Sequence, residues 1–216
     1  MSGADGVYET HVGFASGSAN SFQTLLKTDT RWSELNFVRV WRARGTGRYD
    51  IHDVPDGIHH LATALSSRIS GAVELLESAR RIVGPNALVR AEIEKIAVAS
   101  DVSDLDDQSA AAKLSEGFSF IGEFPRFESH ISIRRTSRES VVPLHLERLL
   151  EEGCFGFNEI ALAEGGMKFI CTAFFESYAD MFRDTGEAVH RLNQSLPGPV
   201  VIKASLERIL CCAMFV

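Results

Sequence analysis

One strand-like phrase occurs twice in this chain, and the repetition constrains the fold more than any other feature. Near the start it runs Tyr8-Glu9-Thr10-His11-Val12-Gly13-Phe14. Past the middle it runs Phe127-Glu128-Ser129-His130-Ile131-Ser132-Ile133. In both, a hydroxyl residue stands between Glu and His, and large apolar residues alternate around them. A second pair closes each half: Val89-Arg90-Ala91-Glu92-Ile93-Glu94-Lys95-Ile96 against Ile202-Lys203-Ala204-Ser205-Leu206-Glu207-Arg208-Ile209. Matched strands at both ends of two stretches predict an internal duplication of a unit a little under a hundred residues long.

Within the first stretch, period-two alternation turns Tyr8, Thr10, Val12 and Phe14 to one face of a strand and Glu9, His11 and Gly13 to the other. The Gly/Ser/Asn run at 16–20 caps a helix beginning near Ser21, with Phe22, Leu25 and Leu26 as its buried stripe. Phe37–Ala43 reads as a second strand, 45–57 as a polar loop and 58–65 as a third strand. Apolar residues at Ile69, Ala72, Val73, Leu76, Ala79, Ile82 and Val83 predict a helix over Ile69–Val83. Gly84-Pro85-Asn86 stops it, and Leu88–Ile96 is the fourth strand. The second stretch repeats the order: strand 126–134, helix 143–152, a hairpin of 155–163 and Lys168–Phe175, helix 179–196 and strand 200–209. A β-α-β-β-α-β order is the ferredoxin-like pattern. The expected class is therefore α+β, with two tandem ferredoxin-like lobes, 1–98 and 126–216, and a partly packed linker at 99–125.

Composition removes several classes of function. A formal charge of −7 excludes a broad electrostatic grip on nucleic acid, though not a local basic pocket. Residues 1–6 lack the basic and apolar regions of a signal peptide, and no apolar run approaches the ~18 residues that cross a bilayer, so no membrane partner is expected. The four cysteines, Cys154, Cys171, Cys211 and Cys212, show no zinc-type spacing. They read as reduced thiols of a cytoplasmic protein, and nothing near Cys211-Cys212 suggests a lowered pKa.

Chemistry is expected on the polar face. In a ferredoxin-like sheet the first strand sits between the third and fourth, and side chains two apart share a face. Glu9 and His11 then join Arg90, Glu92 and Glu94. Glu128, His130 and Ser132 join Lys203, Ser205 and Glu207. Charged groups are seldom buried unless paired, so two such faces predict a pseudo-symmetric His/Glu/Arg cleft between lobes. One reading is a small anionic ligand, with phosphate the leading class, held by His11, His130, Arg90 and Lys203 and oriented by the glutamates. A second is a divalent metal: Glu and His two apart on a strand supply oxygen and nitrogen ligands. A third is phosphoester hydrolysis, with His11 and His130 as acid and base. Against all three stands a cross-strand ladder of Glu, His and Arg that serves the fold alone, in an interaction or assembly protein. The sequence names no cofactor, and a homo-oligomer is compatible with each reading.

The segment His130-Ile131-Ser132 resembles the His-x-Thr/Ser motif of the two-histidine phosphoesterase family, which carries one such motif per lobe. Glu123-Phe124-Pro125 before it and Arg134-Arg135 after it fit loosely. His11-Val12-Gly13 keeps the His but has glycine where the motif has a hydroxyl. The resemblance implies His11 and His130 as the acid–base pair and Ser132 as a phosphate contact. Elsewhere, His52-Asp53, Asp56 and His59-His60 read as a solvated loop and Gly45-Thr46-Gly47-Arg48 as a turn. His145 and His190 lie on helices, and Trp32 and Trp41 read as core.

Overall fold

Strand β1 (Val7–Ala15) alternates as its sequence dictates: Tyr8, Thr10, Val12 and Phe14 are buried, while Glu9 and His11 are half-buried on the other face. The computed structural model in which this is seen describes residues 6–43, 49–52, 58–96, 98, 125–135, 146, 156–196 and 200–214. Two helices cover the apolar face. Helix α1 (Ala19–Thr28) contributes Phe22 and Leu25, and helix α2 (Ile69–Val83) contributes Ala72, Leu75, Leu76 and Ala79. Thr10, fully buried there, donates its hydroxyl to the Ala72 carbonyl at 3.4 Å. That contact offsets a desolvation cost of about 1–3 kcal/mol for an unmet hydroxyl.

Two compact units divide the chain, with exchanges after residues 35, 55, 126 and 206. In the first unit, β1 pairs antiparallel with β5 (Ile58–Ser66) on one side and β6 (Leu88–Ile96) on the other. The three-residue strand β2 (Ser33–Leu35) lies outside β5. The outer edge of β6 is paired by the end of the last strand, β10 (Val200–Met214), whose residues from Glu207 onward belong to this unit. Cys211 faces Ile93 there and joins the core. Phe22 anchors the core, edge-on to Phe14 at 5.5 Å and stacked on His60 at 4.7 Å.

The second unit is built on β7 (Phe127–Arg135), which pairs antiparallel with β9 (Lys168–Phe175). Strand β8 (Glu159–Ala163) follows outside β9, then β3 (Phe37–Ala43) and β4 (Tyr49–His52), all antiparallel. Between β8 and β9 the chain turns through Glu164, Gly165 and Gly166, all at positive φ, where glycine carries no Cβ penalty. Helix α3 (Tyr178–Ser195) is capped by Ser177, whose hydroxyl accepts from the Asp180 amide at 3.1 Å. Its Ala188 and Leu192 pack on Ile131, Ile133 and Phe169 in a second core.

This is a mixed α+β fold whose described strand pairings are antiparallel. Helix Ile69–Val83 and strands Leu88–Ile96 and Lys168–Phe175 have the expected bounds. Three expectations about strands are corrected. The loop expected over 45–57 carries strand β4, Tyr49–His52, paired with β3. Phe37–Ala43, read as the second strand of the first lobe, pairs with β8 of the second unit, and Ser33–Leu35 takes the place beside β5. Alternation fixes which face of a strand is buried but not which edge it joins. The last strand also runs on to Met214, because the apolar tail from Leu210 continues the pairing with β6. The expected linker and the helix at 143–152 fall, apart from residues 125 and 146, outside the described residues.

Candidate functional site

In the first unit, the polar face is ordered by register. Directly paired residues share a face, so one row reads Thr63–His11–Glu92 and the next Leu65–Glu9–Glu94. His11 Nε2 lies 3.5 Å from Glu9 Oε1 and 3.7 Å from Glu94 Oε2. The ligand-capable atoms of Glu9, His11 and Glu94 all fall within 4.8 Å of one another. Glu94 is 1% exposed, whereas Glu9 and His11 reach solvent on one side. The Thr63 hydroxyl donates to Glu9 Oε1, the same oxygen that faces His11.

Beside this trio, Arg90 Nη2 donates to Glu92 Oε2 at 2.8 Å. Burial works against the Arg90 charge, and Glu92 more than restores it, holding the guanidinium above its ordinary value. Glu9 and Glu94 face each other directly, an arrangement of like charges that is destabilising without a cation between them. Nearby, burial pushes the Cys211 thiol up to about 12. Burial, with Glu92 adding, pushes Cys212 up to about 11. Both are protonated at neutral pH, so this pair is not a reactive dithiol.

The second unit uses the same positions differently. His130 Nε2 is 2.8 Å from Glu128 Oε1, and Nδ1 is 3.2 Å from the Thr172 hydroxyl. Both ring nitrogens are thus engaged at hydrogen-bond distance, and the Glu128 carboxylate is buried. Ser132 sits half-buried opposite Ile170, and Lys203 is exposed on β10. Neither belongs to these clusters. Glu207 is buried in the first unit, opposite Ile96. Of the expected residues, then, Glu9, His11 and Glu94 come together, Glu207 sets a carboxylate oxygen within 4.8 Å of one of Glu94, Arg90 goes to Glu92, and Glu128 goes to His130.

Thr63 and Thr172 were not singled out by sequence reasoning. Each stands directly opposite the histidine of its own unit, Thr63 across from His11 and Thr172 across from His130. The signal was present: Leu61-Ala62-Thr63-Ala64-Leu65 and Ile170-Cys171-Thr172-Ala173-Phe174 are a third matched pair of strands.

The remaining candidates are structural or lie elsewhere. His60 is packed against Phe22 rather than set in a solvated loop. His190 is exposed on α3, 2.9 Å from the Gln194 amide. Trp32 is buried in the first core. His145, residues 45–48, Asp53, Asp56 and the side chains of Trp41, His52 and His59 fall outside the described residues. No helix among the described residues is long and apolar enough to cross a membrane.

No family model matches this chain, and no curated protein matches it. Among solved structures it is similar to a candidate chlorite dismutase, at TM-score 0.32 and 11% identity over 94% of each chain. It is also similar to an anthrone oxidase-like protein, at TM-score 0.25 and 10% identity over 98% of this chain and 94% of that one. A mutant chlorite dismutase from Candidatus Nitrospira defluvii in complex with cyanide gives TM-score 0.28 and 11% identity, over 92% and 90% of the two chains. Likenesses this slight carry no argument about function.

Proposed function

We propose that the chain is an internally duplicated pair of ferredoxin-like units, and that the first unit binds a divalent metal ion through Glu9, His11 and Glu94. Support for the duplication lies in register. In the first unit β1 has the third strand on one side and the fourth on the other, as a ferredoxin-like sheet requires. In both units the first strand places its histidine opposite a threonine of the third strand.

Support for the metal lies in one observation, the spacing around His11 Nε2. Its separations of 3.5 and 3.7 Å from two carboxylate oxygens exceed the roughly 2.7–3.2 Å of a hydrogen bond. Two ligands each about 2.1 Å from a tetrahedral ion stand about 3.4 Å apart. Both separations from His11 Nε2 therefore match the edge of a coordination tetrahedron, and one imidazole with two carboxylates suits zinc, manganese or iron(II). Three protein ligands leave a fourth position for water. A phosphoester hydrolysis, if this chain performs one, would draw its nucleophile from there.

The anionic-ligand reading draws less support. Two of the four cations it requires already face a carboxylate, Arg90 held by Glu92 and His130 by Glu128, and Lys203 stands exposed on β10, outside these clusters. The two readings separate in one calorimetric experiment on metal-free protein, titrated with zinc and, separately, with inorganic phosphate. The expected result is one zinc bound, lost in His11→Ala and in Glu94→Gln, with no phosphate binding. At a free zinc concentration of 100 times Kd the protein should gain about 2.7 kcal/mol of stability. Phosphate binding without zinc binding would overturn the metal reading in favour of the anion.

A further inference from the structure

We propose that Thr63 is a positioning residue for the metal, fixing the Glu9 carboxylate in its ligating orientation; this rests on the metal reading of Glu9, His11 and Glu94. Thr63 lies directly opposite His11 on β5, and its hydroxyl donates to Glu9 Oε1. That oxygen is the one turned toward His11 Nε2. A carboxylate oxygen has two lone-pair directions, so the hydroxyl can hold one while the other points at the ion. Ligating carboxylates are characteristically hydrogen-bonded in this way, and such partners tune affinity.

Glu9 needs such a tether because of where it stands. Its neighbour across the strand pair is Leu65, which is 61% exposed, so water lies within reach of the Glu9 side chain. A glutamate there loses rotamer freedom when it is held inward to ligate. Threonine suits the task because its β-branch restricts χ1, so the hydroxyl has few directions to point. The second unit has a threonine at the same register position, set on the other member of the pair. Thr172, at the matching register position, sets its hydroxyl 3.2 Å from His130 Nδ1. In both units, then, the third-strand threonine orients a member of the Glu-x-His pair.

The test uses the whole chain, metal-free, titrated with cobalt(II) and followed by the visible bands of the bound ion. Thr63→Val preserves shape and removes the donor. It should weaken cobalt binding by roughly 10–100-fold and change the band pattern of the bound ion, a loss read on protein that is folded before metal is added. Thr63→Ser, which restores the donor, should recover most of the affinity. If the valine variant does not fold, Thr63→Ala makes the same deletion with less bulk. Wild type that binds cobalt alongside a valine variant of equal affinity and spectrum overturns the role of Thr63 alone. Wild type that binds no cobalt overturns the metal site and this inference together.

Discussion

Replacing His130 by alanine tests whether the second unit's histidine serves the fold rather than a ligand. The imidazole is 2.8 Å from Glu128 Oε1, and the carboxylate it meets is 6% exposed. Loss of a hydrogen bond to a charged group costs about 1.5–3 kcal/mol, and the stranded carboxylate stays buried. The ring itself is 24% exposed, so its packing adds a further ~1 kcal/mol. A total of roughly 2.5–4 kcal/mol should follow. For a chain of this length each kcal/mol moves the melting point by about 2–4 °C, so a fall of roughly 5–16 °C is expected. Urea unfolding followed by circular dichroism, on wild type, His130→Ala, Glu128→Gln and the double variant, isolates the pair. The coupling energy should be about 1.5–3 kcal/mol. Coupling below about 0.5 kcal/mol, the usual scatter for independent sites, would refute the claim that this pair holds the strand.

Two further outcomes follow from burial and charge. Val12 is fully buried in the core that α1 and α2 cover, so Val12→Asp introduces a charge without a partner at a cost of several kcal/mol; a soluble variant that still melts cooperatively would sink this core assignment. Asp29, after α1, accepts from the Arg31 amide at 3.1 Å and from Arg31 Nε at 2.8 Å, and the Arg31 side chain holds its carboxyl below the usual value. A lowered folded pKa stabilises above the unfolded value of about 3.9 and is lost as pH falls through the folded one. The gap between wild type and Asp29→Asn should therefore be full above about pH 4 and close on further acidification. Because Arg31 is half in solvent, the gap should be about 1 kcal/mol, and a gap that persists undiminished at low pH would exclude the ion pair as its source.

Local order was legible in the sequence because it is governed by local rules. The alternation along β1 and β7, the helical stripe over Ile69–Val83 and the Gly84-Pro85 stop are each set within a few residues. Partner choice was not legible. Phe37–Ala43 has the same pattern whichever strand it lies beside, and its pairing with β8 joins segments more than a hundred residues apart. The polar face was legible as a set of residues but not as a geometry. Glu9/His11 and Glu128/His130 are indistinguishable as text, yet one histidine stands 3.5 Å from its glutamate and the other 2.8 Å. The difference arises on neighbouring strands. Thr63 draws on the glutamate in one unit, while Thr172 contacts the imidazole in the other.

The division of β10 bears on how the chain can be made. A ribosome finishes β1, α1, α2 and β6 well before it emits the strand that pairs the outer edge of β6, whose pairing begins at Glu207, more than a hundred residues after Ile96. Domains usually fold in the order of synthesis. Here the earlier unit waits with an open strand edge, the kind of template on which nascent chains misassociate, and β3 with β4 waits likewise for β8. Neither unit can be excised by a single cut. A fragment ending before Glu207 would lack the residues that pair that edge.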